Sequence, residues 1–451
     1  MSRVAIAAGV IILAAAAWQI TASASYPIPK ISIYDPNPQH IWNRLYSVLL
    51  VRHDATGALF GANDLDPGPL LFSRHLLEPK SHRDAVRVLD EFLKMKAENL
   101  IRDPVKRALF IRDLWPVFDW AVTRVPMRDG DPTYDSEKRE LQIRLAEILH
   151  RLALTQQEIE ALPDTYAQAV SAGVFPKEYD PLHPDRAFLP ADLFDPHGPW
   201  VPIQRTGPPV AEQHVLFFMG RSRFLIFIRL PGGRKATYDY LRALWESNQP
   251  LEASTPASPP QTGFNPLLPS FPAGTQVALV RQMTMFDDHG NLRAAPLTES
   301  VQIRLSRAVA ASSGPTGHMT EINETSGQQF YEIRLDRSLL FAGRTGGLRE
   351  IGRDEKQLFL FNGIPFDQFD NPQTKINWSS RTPILQDCAM CHRAPGIHSL
   401  NSRAALLKPN PMQHETGNEL ADRWWEQDGT LLWKENRTEW AAMKSCWRQA
   451  R

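Results

Sequence analysis

The amino-acid sequence predicts an α+β protein built from more than one domain. Up to about residue 172, apolar residues recur at the spacing of amphipathic helices. Beyond a proline-rich stretch at 247–262, apolar and polar residues alternate, which is typical of half-buried strands. The chain returns to helical spacing near its C-terminus. We therefore expect a mainly helical N-terminal region, an antiparallel β-sandwich- or barrel-like middle region, and a small helical C-terminal segment.

These changes in pattern divide the 451 residues into five segments. Residues 1–24 are a signal peptide, and residues 25–246 are a helical region followed by a small α/β unit. Residues 247–262 form a linker, which is assigned from its Pro, Ser and Thr content. Residues 263–375 form an antiparallel β domain, and residues 376–451 form the C-terminal domain.

The N-terminus has the pattern of a secretory signal peptide. Arg3 precedes an apolar run from Val4 to about Ile20, and Ala22-Ser23-Ala24 then supplies an A-x-A cleavage site. We expect cleavage after Ala24. The alternative is an uncleaved membrane anchor, because the apolar run is close to the shortest length that spans a bilayer. Both interpretations place the rest of the chain outside the cytoplasm.

Capping residues mark helix starts in the helical region. Asp103 before Pro104 predicts an N-cap with proline at the first helical position, and Thr155 with Glu158 predicts a capping box. The α/β unit is predicted from a pair of strands joined by a tight turn and followed by a helix. These elements are His214–Met219, a turn at Gly220, Arg223–Leu230 and Ala236–Glu246.

The β domain is predicted from three alternating runs and a hairpin-like turn at 288–291. The apolar positions of these runs are Val277 and Leu279, then Val301, Ile303 and Leu305, then Tyr331, Ile333 and Leu335. Charge adds one exclusion: Lys plus Arg and Asp plus Glu both number 50, so no basic excess indicates nucleic-acid binding.

The strongest chemical signal is Cys388-Ala389-Met390-Cys391-His392, which reads C-x-x-C-H, the attachment signature of a c-type haem. Thiols three positions apart lie on one side of a helical turn and can each bond one porphyrin vinyl group. The adjacent His392 can then ligate the iron. Two alternatives are a disulfide or redox pair, and a zinc site completed by Cys446 and one histidine. Haem c is attached outside the cytoplasm, so the export signal favours haem.

The stretch CAMCH resembles the haem site of c-type cytochromes. The resemblance implies one haem c, with Cys388 and Cys391 as covalent attachments and His392 as proximal iron ligand. Together with the export signal, haem attachment suggests the periplasm or cell surface of a bacterium, and the resemblance makes 376–451 a c-type haem domain. The resemblance covers these five residues. The continuation RAPGIHSLNSR departs from the Gly-Pro-Leu segment of small cytochrome c domains.

The sixth position on the iron distinguishes an electron carrier, in which a protein ligand fills it, from a haem enzyme, in which it is open. Met443 is the first candidate, because it lies on a helix predicted from about Thr430 onward, and His414 is the second. Met412 and His398 are further candidates. The same helix carries tryptophans at seven-residue spacing, which can pack on the protein or cover the porphyrin: Trp433, Trp440 and Trp447.

These observations favour an exported single-haem c-type cytochrome that exchanges electrons with a redox partner protein. Two alternatives stay open. One is a peroxidase-like haem enzyme with an open iron site, and the other is a non-enzymatic binding or structural protein of the cell envelope. Electron transfer is favoured over catalysis. Membrane contact is expected only if the signal segment is not cleaved.

Overall fold

The computed structural model places one six-stranded sheet at the centre of the chain, with helices on both faces. It describes residues 30–53, 59–61, 73–123, 134–203, 209–246, 252–255, 261–264, 268–307, 327–357, 382–392, 396–400 and 429–449. The predicted signal peptide and His414 lie outside these residues. Helices combined with an antiparallel sheet confirm the α+β class.

The described helices are short to medium in length. In chain order they are α1 (Ile41–Leu50), α2 (Pro79–Lys94), α3 (Pro104–Val122), α4 (Asp135–Leu152), α5 (Gln156–Glu160), α6 (Thr165–Ala172), α7 (Glu212–Phe217), α8 (Gly233–Glu246), α9 (Arg337–Phe341), α10 (Ile384–His392), α11 (Gly429–Glu435) and α12 (Thr438–Gln449). Short 3₁₀ turns lie at Ser73–Leu77, Ala97–Asn99, Thr345–Gly347 and Gly396–Ser399. Among the described residues, no helix is long and apolar enough to cross a membrane.

Local sequence signals explain several helix starts. The Asp103 side chain accepts hydrogen bonds from the backbone of Val105 and Lys106, as expected for the N-cap of α3. Thr155 and Glu158 form the predicted capping box at the start of α5. Every residue of α3 from Ala108 to Ala121 is buried, so α3 is the central helix of the helical layer.

The described strands number twelve. They are β1 (Arg52–His53), β2 (Leu59–Phe60), β3 (Val201–Ile203), β4 (Ser222–Arg229), β5 (Glu252–Thr255), β6 (Gln261–Phe264), β7 (Gln276–Phe286), β8 (Leu292–Ser306), β9 (Gln328–Leu335), β10 (Leu348–Glu350), β11 (Lys356–Gln357) and β12 (Thr382–Pro383). The six-stranded sheet has the order β10-β9-β8-β7-β4-β3, and all its pairings are antiparallel.

The sheet crosses the boundary that the sequence predicts at 247–262. Strand β4 pairs with β7 in the register Leu225↔Val280, so strands from both sides of that boundary share one sheet. Part of the predicted linker is itself a β-hairpin, because β5 pairs with β6. The other described strands form two-stranded pairs, so the described residues contain one large sheet rather than the two of a sandwich. Composition located the connection but could not show which strands pair across it.

Two hydrophobic cores lie on opposite faces of the sheet. The first core, called the helical core, joins α1–α4 and α12 to one face and includes Trp115 and Ile303. The second core, called the site core, lies on the opposite face with α7 and α8, and includes Phe224 and Ile397. Neighbouring residues of a strand face opposite ways, which accounts for the assignment of Phe224 and Leu225 to different cores.

Buried ion pairs tie α3 to the sheet and to later segments of the chain. They join Arg112 to Glu299 (2.8 Å), Arg337 to Asp113, and both Arg221 and Lys434 to Asp119 (2.7 Å each). Because α3 carries one member of each group, its position fixes segments far away in sequence. Burial lowers the pKa of Lys434, although the Asp119 carboxylate opposes that effect.

Two predicted elements are wrong. The predicted strand His214–Met219 is the helix α7 with its C-terminal turn, in which Val215 is buried and Leu216 is 49% exposed. A short apolar run does not distinguish helix from strand by periodicity alone. The single predicted C-terminal helix is two helices, α11 and α12, separated at 436–437. This break sends Trp433 to the site core and Trp440 to the helical core.

Candidate haem site

Helix α10 positions the C-x-x-C-H residues. Cys388 and His392 are four residues apart, so they lie on the same face one turn apart. Cys391 lies in the last turn of the same helix. The buried residues Ile384 and Ala389 pack α10 onto the fold, and the helix contacts β9. The helical placement expected for the motif is therefore present.

A tight turn after α10 sets the position of the next carbonyl groups. Gly396 begins a 3₁₀ turn with a φ of +55°, a conformation that favours glycine. A side chain at Gly396 would collide with the side chain of Ser270 and approach the backbone nitrogen of Phe271. This close packing against the segment before β7 holds the turn, and with it the carbonyl of Ser399.

The His392 ring is oriented by a backbone carbonyl. Its Nδ1 lies 2.8 Å from the Ser399 carbonyl oxygen, so Nδ1–H donates to that oxygen in the neutral ring. This leaves the lone pair of His392 on Nε2, the arrangement usual for a histidine that ligates a metal. The same carbonyl accepts a second hydrogen bond from Arg304 at 2.7 Å.

A second histidine lies beside His392. His214, on α7, places its ring 5.7 Å from the His392 ring, centroid to centroid, and the two planes differ by 8°. The His214 ring also contacts an aromatic residue, Phe224, with a centroid distance of 5.1 Å. Within the described part of the chain, the His214 ring forms no hydrogen bond. Two imidazoles from distant segments therefore meet at the site core.

Both imidazoles are neutral near physiological pH. Burial, with the nearby charge of Arg304 and the neighbouring His214, lowers the pKa of His392 to about 3. Burial, with the charges of Arg304 and Arg281, lowers the pKa of His214 to about 4. A neutral imidazole keeps the lone pair that a metal ion requires. Both groups thus have the protonation state of ligands.

Arg304 brings positive charge to this site. It lies on β8 between Ile303 and Leu305, which face the helical core, so its own side chain faces the site core. Burial lowers the pKa of Arg304 to about 10, and the sulfur of Cys388 partly offsets that effect. Among the described residues Arg304 forms no ion pair with a carboxylate.

The residues of this site fit a covalently attached haem. Cys388 and the neutral His392 share one helical face, as the attachment chemistry requires. Arg304 supplies a cation suited to the carboxylate groups of haem, because arginine binds carboxylates well. Phe224 and Ile397 supply apolar contact area nearby. The donor set and its surroundings are therefore chemically compatible with haem c.

The first candidate for the sixth ligand is placed elsewhere. Met443 is fully buried in the helical core, where α12 packs against α3 and α4. Trp440 and Trp447 share that core, and the Trp447 indole donates a hydrogen bond to the Ala146 carbonyl at 2.8 Å. Trp433 instead packs at the edge of the site core. The structure thus does not bring Met443 together with His392.

Cys446 also belongs to the helical core. It is 6% exposed, and the Arg139 guanidinium lies 3.6 Å from its sulfur. The alternative zinc site would need Cys446 beside α10. Cys446 lies in the helical core, whereas His392 of α10 contacts His214, which contacts Phe224 of the site core. The described residues contain one group of three potential metal ligands, Asp287-Asp288-His289, which forms the β7–β8 turn.

Sequence reasoning missed His214. The sequence predicts a strand at this position, and no neighbouring residues resemble a ligand motif. Its relation to His392 depends on how α7 packs against β4 and α10 against β9, two strands that β7 and β8 separate in the sheet, and only the tertiary structure reveals this. A histidine within the apolar stretch HVLFF was the single signal available.

Comparisons with known proteins leave the site to be judged on its own chemistry. No family model matches the chain, and no match was found among curated proteins or solved structures.

Proposed function

We propose that this chain is an exported single-haem c-type cytochrome that transfers electrons to or from a partner protein. The observation that carries the proposal is the orientation of His392. It follows Cys388 and Cys391 on one helix, and the Ser399 carbonyl holds its Nδ1–H so that Nε2 is the ligating atom. A bound haem supplies a one-electron couple at the iron.

Each residue has a defined role in this proposal. Cys388 and Cys391 form the thioether links, and His392 binds the iron on the proximal side. Arg304 interacts with haem carboxylates and also hydrogen-bonds to the Ser399 carbonyl. The carbonyl of Ser399, seven residues after His392, orients the proximal imidazole. We assign the site to the periplasm or cell surface of a bacterium on the basis of the predicted N-terminal export signal.

Covalent attachment is the decisive test. The full-length chain is produced in a bacterium that carries a cytochrome c maturation system, and the denatured polypeptide is stained for haem. We expect one haem per chain and reversible reduction of that haem by dithionite. The intact mass should equal that of a chain that starts near Ser25 plus one haem. The double variant Cys388→Ser/Cys391→Ser loses the stain, because no thiol remains to bond the porphyrin.

Cys446→Ser is the matched control, because Cys446 lies in the helical core. It retains the full haem stain. Haem that leaves the wild-type chain in acid acetone, or stoichiometric zinc in its place, would disprove the proposal. Loss of haem from the Cys446→Ser variant alone would also contradict the assigned roles of the cysteines.

A further inference from the structure

From the position of the two rings we infer that His214 is the second axial ligand of the haem iron, opposite His392. This inference rests on the proposed function, since it concerns the same iron. It assigns the ligand to α7, in a part of the chain far from the C-x-x-C-H motif. The haem then has two histidine ligands, and the C-terminal segment is linked to the sheet through the iron.

The separation of the rings supports a shared metal ion. Metal–imidazole bonds of about 2 Å on each side place two ring centroids about 6 Å apart. The His214 and His392 centroids are 5.7 Å apart, and their planes differ by 8°. The centroid spacing of these two stacked rings is therefore close to that of two imidazoles bound to one ion.

The available nitrogen atoms support the same assignment. A neutral imidazole has one N–H and one nitrogen with a lone pair. The N–H of His392 is used by Ser399, so its lone pair is left for the iron. The His214 ring has no hydrogen-bond partner among the described residues, so it also has a lone pair to give. The rings do not use each other as hydrogen-bond partners.

The packing of α7 holds His214 in a fixed position. Helix α7 packs against β4, and the buried Val215 anchors it to the site core. At the end of α7, Gly220 has a φ of +72°, and a Cβ atom there would contact Trp433 and Lys434 of α11. The turn that ends α7 is thereby packed against α11, which limits movement of the His214 ring.

The functional consequence concerns the type of haem chemistry. An iron with two protein ligands has no open position for peroxide or another small molecule, so it serves as an electron carrier. Two histidines also give a lower reduction potential than a histidine and a methionine. This assignment favours electron transfer over the peroxidase-like alternative.

The test uses the full-length holoprotein and its variants His214→Gly and His214→Met. Wild-type ferric protein should be low-spin by electron paramagnetic resonance and should not bind cyanide readily. His214→Gly should become high-spin and bind cyanide, and added imidazole should return the low-spin signal by filling the vacated position. His214→Met should stay low-spin, gain the weak long-wavelength band of a methionine–iron bond, and rise in potential.

His289→Ala is the control variant, because His289 is an exposed histidine of the β7–β8 turn. Its spectrum should match the wild type. If His214→Gly keeps covalent haem and a low-spin spectrum unchanged by imidazole, the inference is wrong while the haem proposal stands. If wild type carries no covalent haem, the proposed function itself fails. Should His214→Gly not fold, the band and potential of His214→Met decide the question.

Discussion

The two faces of the sheet bury positive charge in different ways. In the helical core, Arg112, Arg337 and Lys434 each lie against a carboxylate. On the opposite face, Arg304 donates to the Ser399 carbonyl and has no carboxylate among its described ion pairs. Buried cations are stable when an anion compensates them. The helical core thus pairs these three cations with its own carboxylates, whereas Arg304 in the site core is a cation suited to an anionic ligand such as haem.

The strongest way to test the balance of the helical core is to remove its central carboxylate. Asp119 faces both Arg221 and Lys434, each at 2.7 Å. Asp119→Leu removes the buried carboxylate that both cations face, and we expect a loss of about 3–5 kcal/mol in the free energy of unfolding. Lys434→Met leaves the Asp119–Arg221 pair intact, and we expect a loss of about 1 kcal/mol or less.

Both free energies are measured by urea unfolding of the holoprotein followed by circular dichroism. The haem stain should be unchanged in both variants, because the ion pairs involve α3 on the helical-core side of the sheet. Equal destabilisation by Asp119→Leu and Lys434→Met would show that charge balance does not control the stability of this core.

The next prediction separates the two cores through Met443. Because Met443 packs in the helical core, Met443→Leu conserves its volume and should cost less than about 1.5 kcal/mol of stability. The ferric spectrum and the midpoint potential should both equal those of the wild type. A change from low-spin to high-spin iron in Met443→Leu would return Met443 to the position of axial ligand and contradict the assignment of His214.

The features that the sequence predicts correctly are those that depend on residues close together in the chain. The Asp103 N-cap, the Thr155 capping box and the helix that carries Cys388 are encoded locally, and the structure contains all three. The sheet that joins β4 to β7 across the predicted linker was not foreseen, because pairing between distant strands leaves no local pattern. His214 was missed for the same reason.

The C-terminal tryptophans illustrate this limit in detail. A seven-residue repeat predicts one apolar face on one helix. The break at 436–437 instead turns α12 away from α11, so Trp433 and Trp440 serve different cores. The sequence favours Met443 as a ligand because Met443 lies on the same predicted helix as the tryptophans. In the structure, Met443 packs with Trp440 in the helical core and not beside His392.

The smallest expected effect tests the cation of the site core directly. Arg304→Gln removes a positive charge close to the proposed iron site. Loss of this charge stabilises the oxidised iron, which is the more positive form, relative to the reduced iron. It also removes a competitor for the Ser399 carbonyl, so the His392 N–H bond strengthens and the ring donates more electron density to the iron. Both effects lower the midpoint potential. An electrostatic change of about 1 kcal/mol corresponds to about 40 mV for one electron.

Arg334→Gln on β9 is the matched control, because Arg334 pairs with Glu332 and its charge is already compensated. Spectroelectrochemical titration should therefore show a clear fall for Arg304→Gln and a smaller change for Arg334→Gln. Equal shifts, or a rise in potential for Arg304→Gln with haem still attached, would mean that the charge of Arg304 is not directed at the iron site.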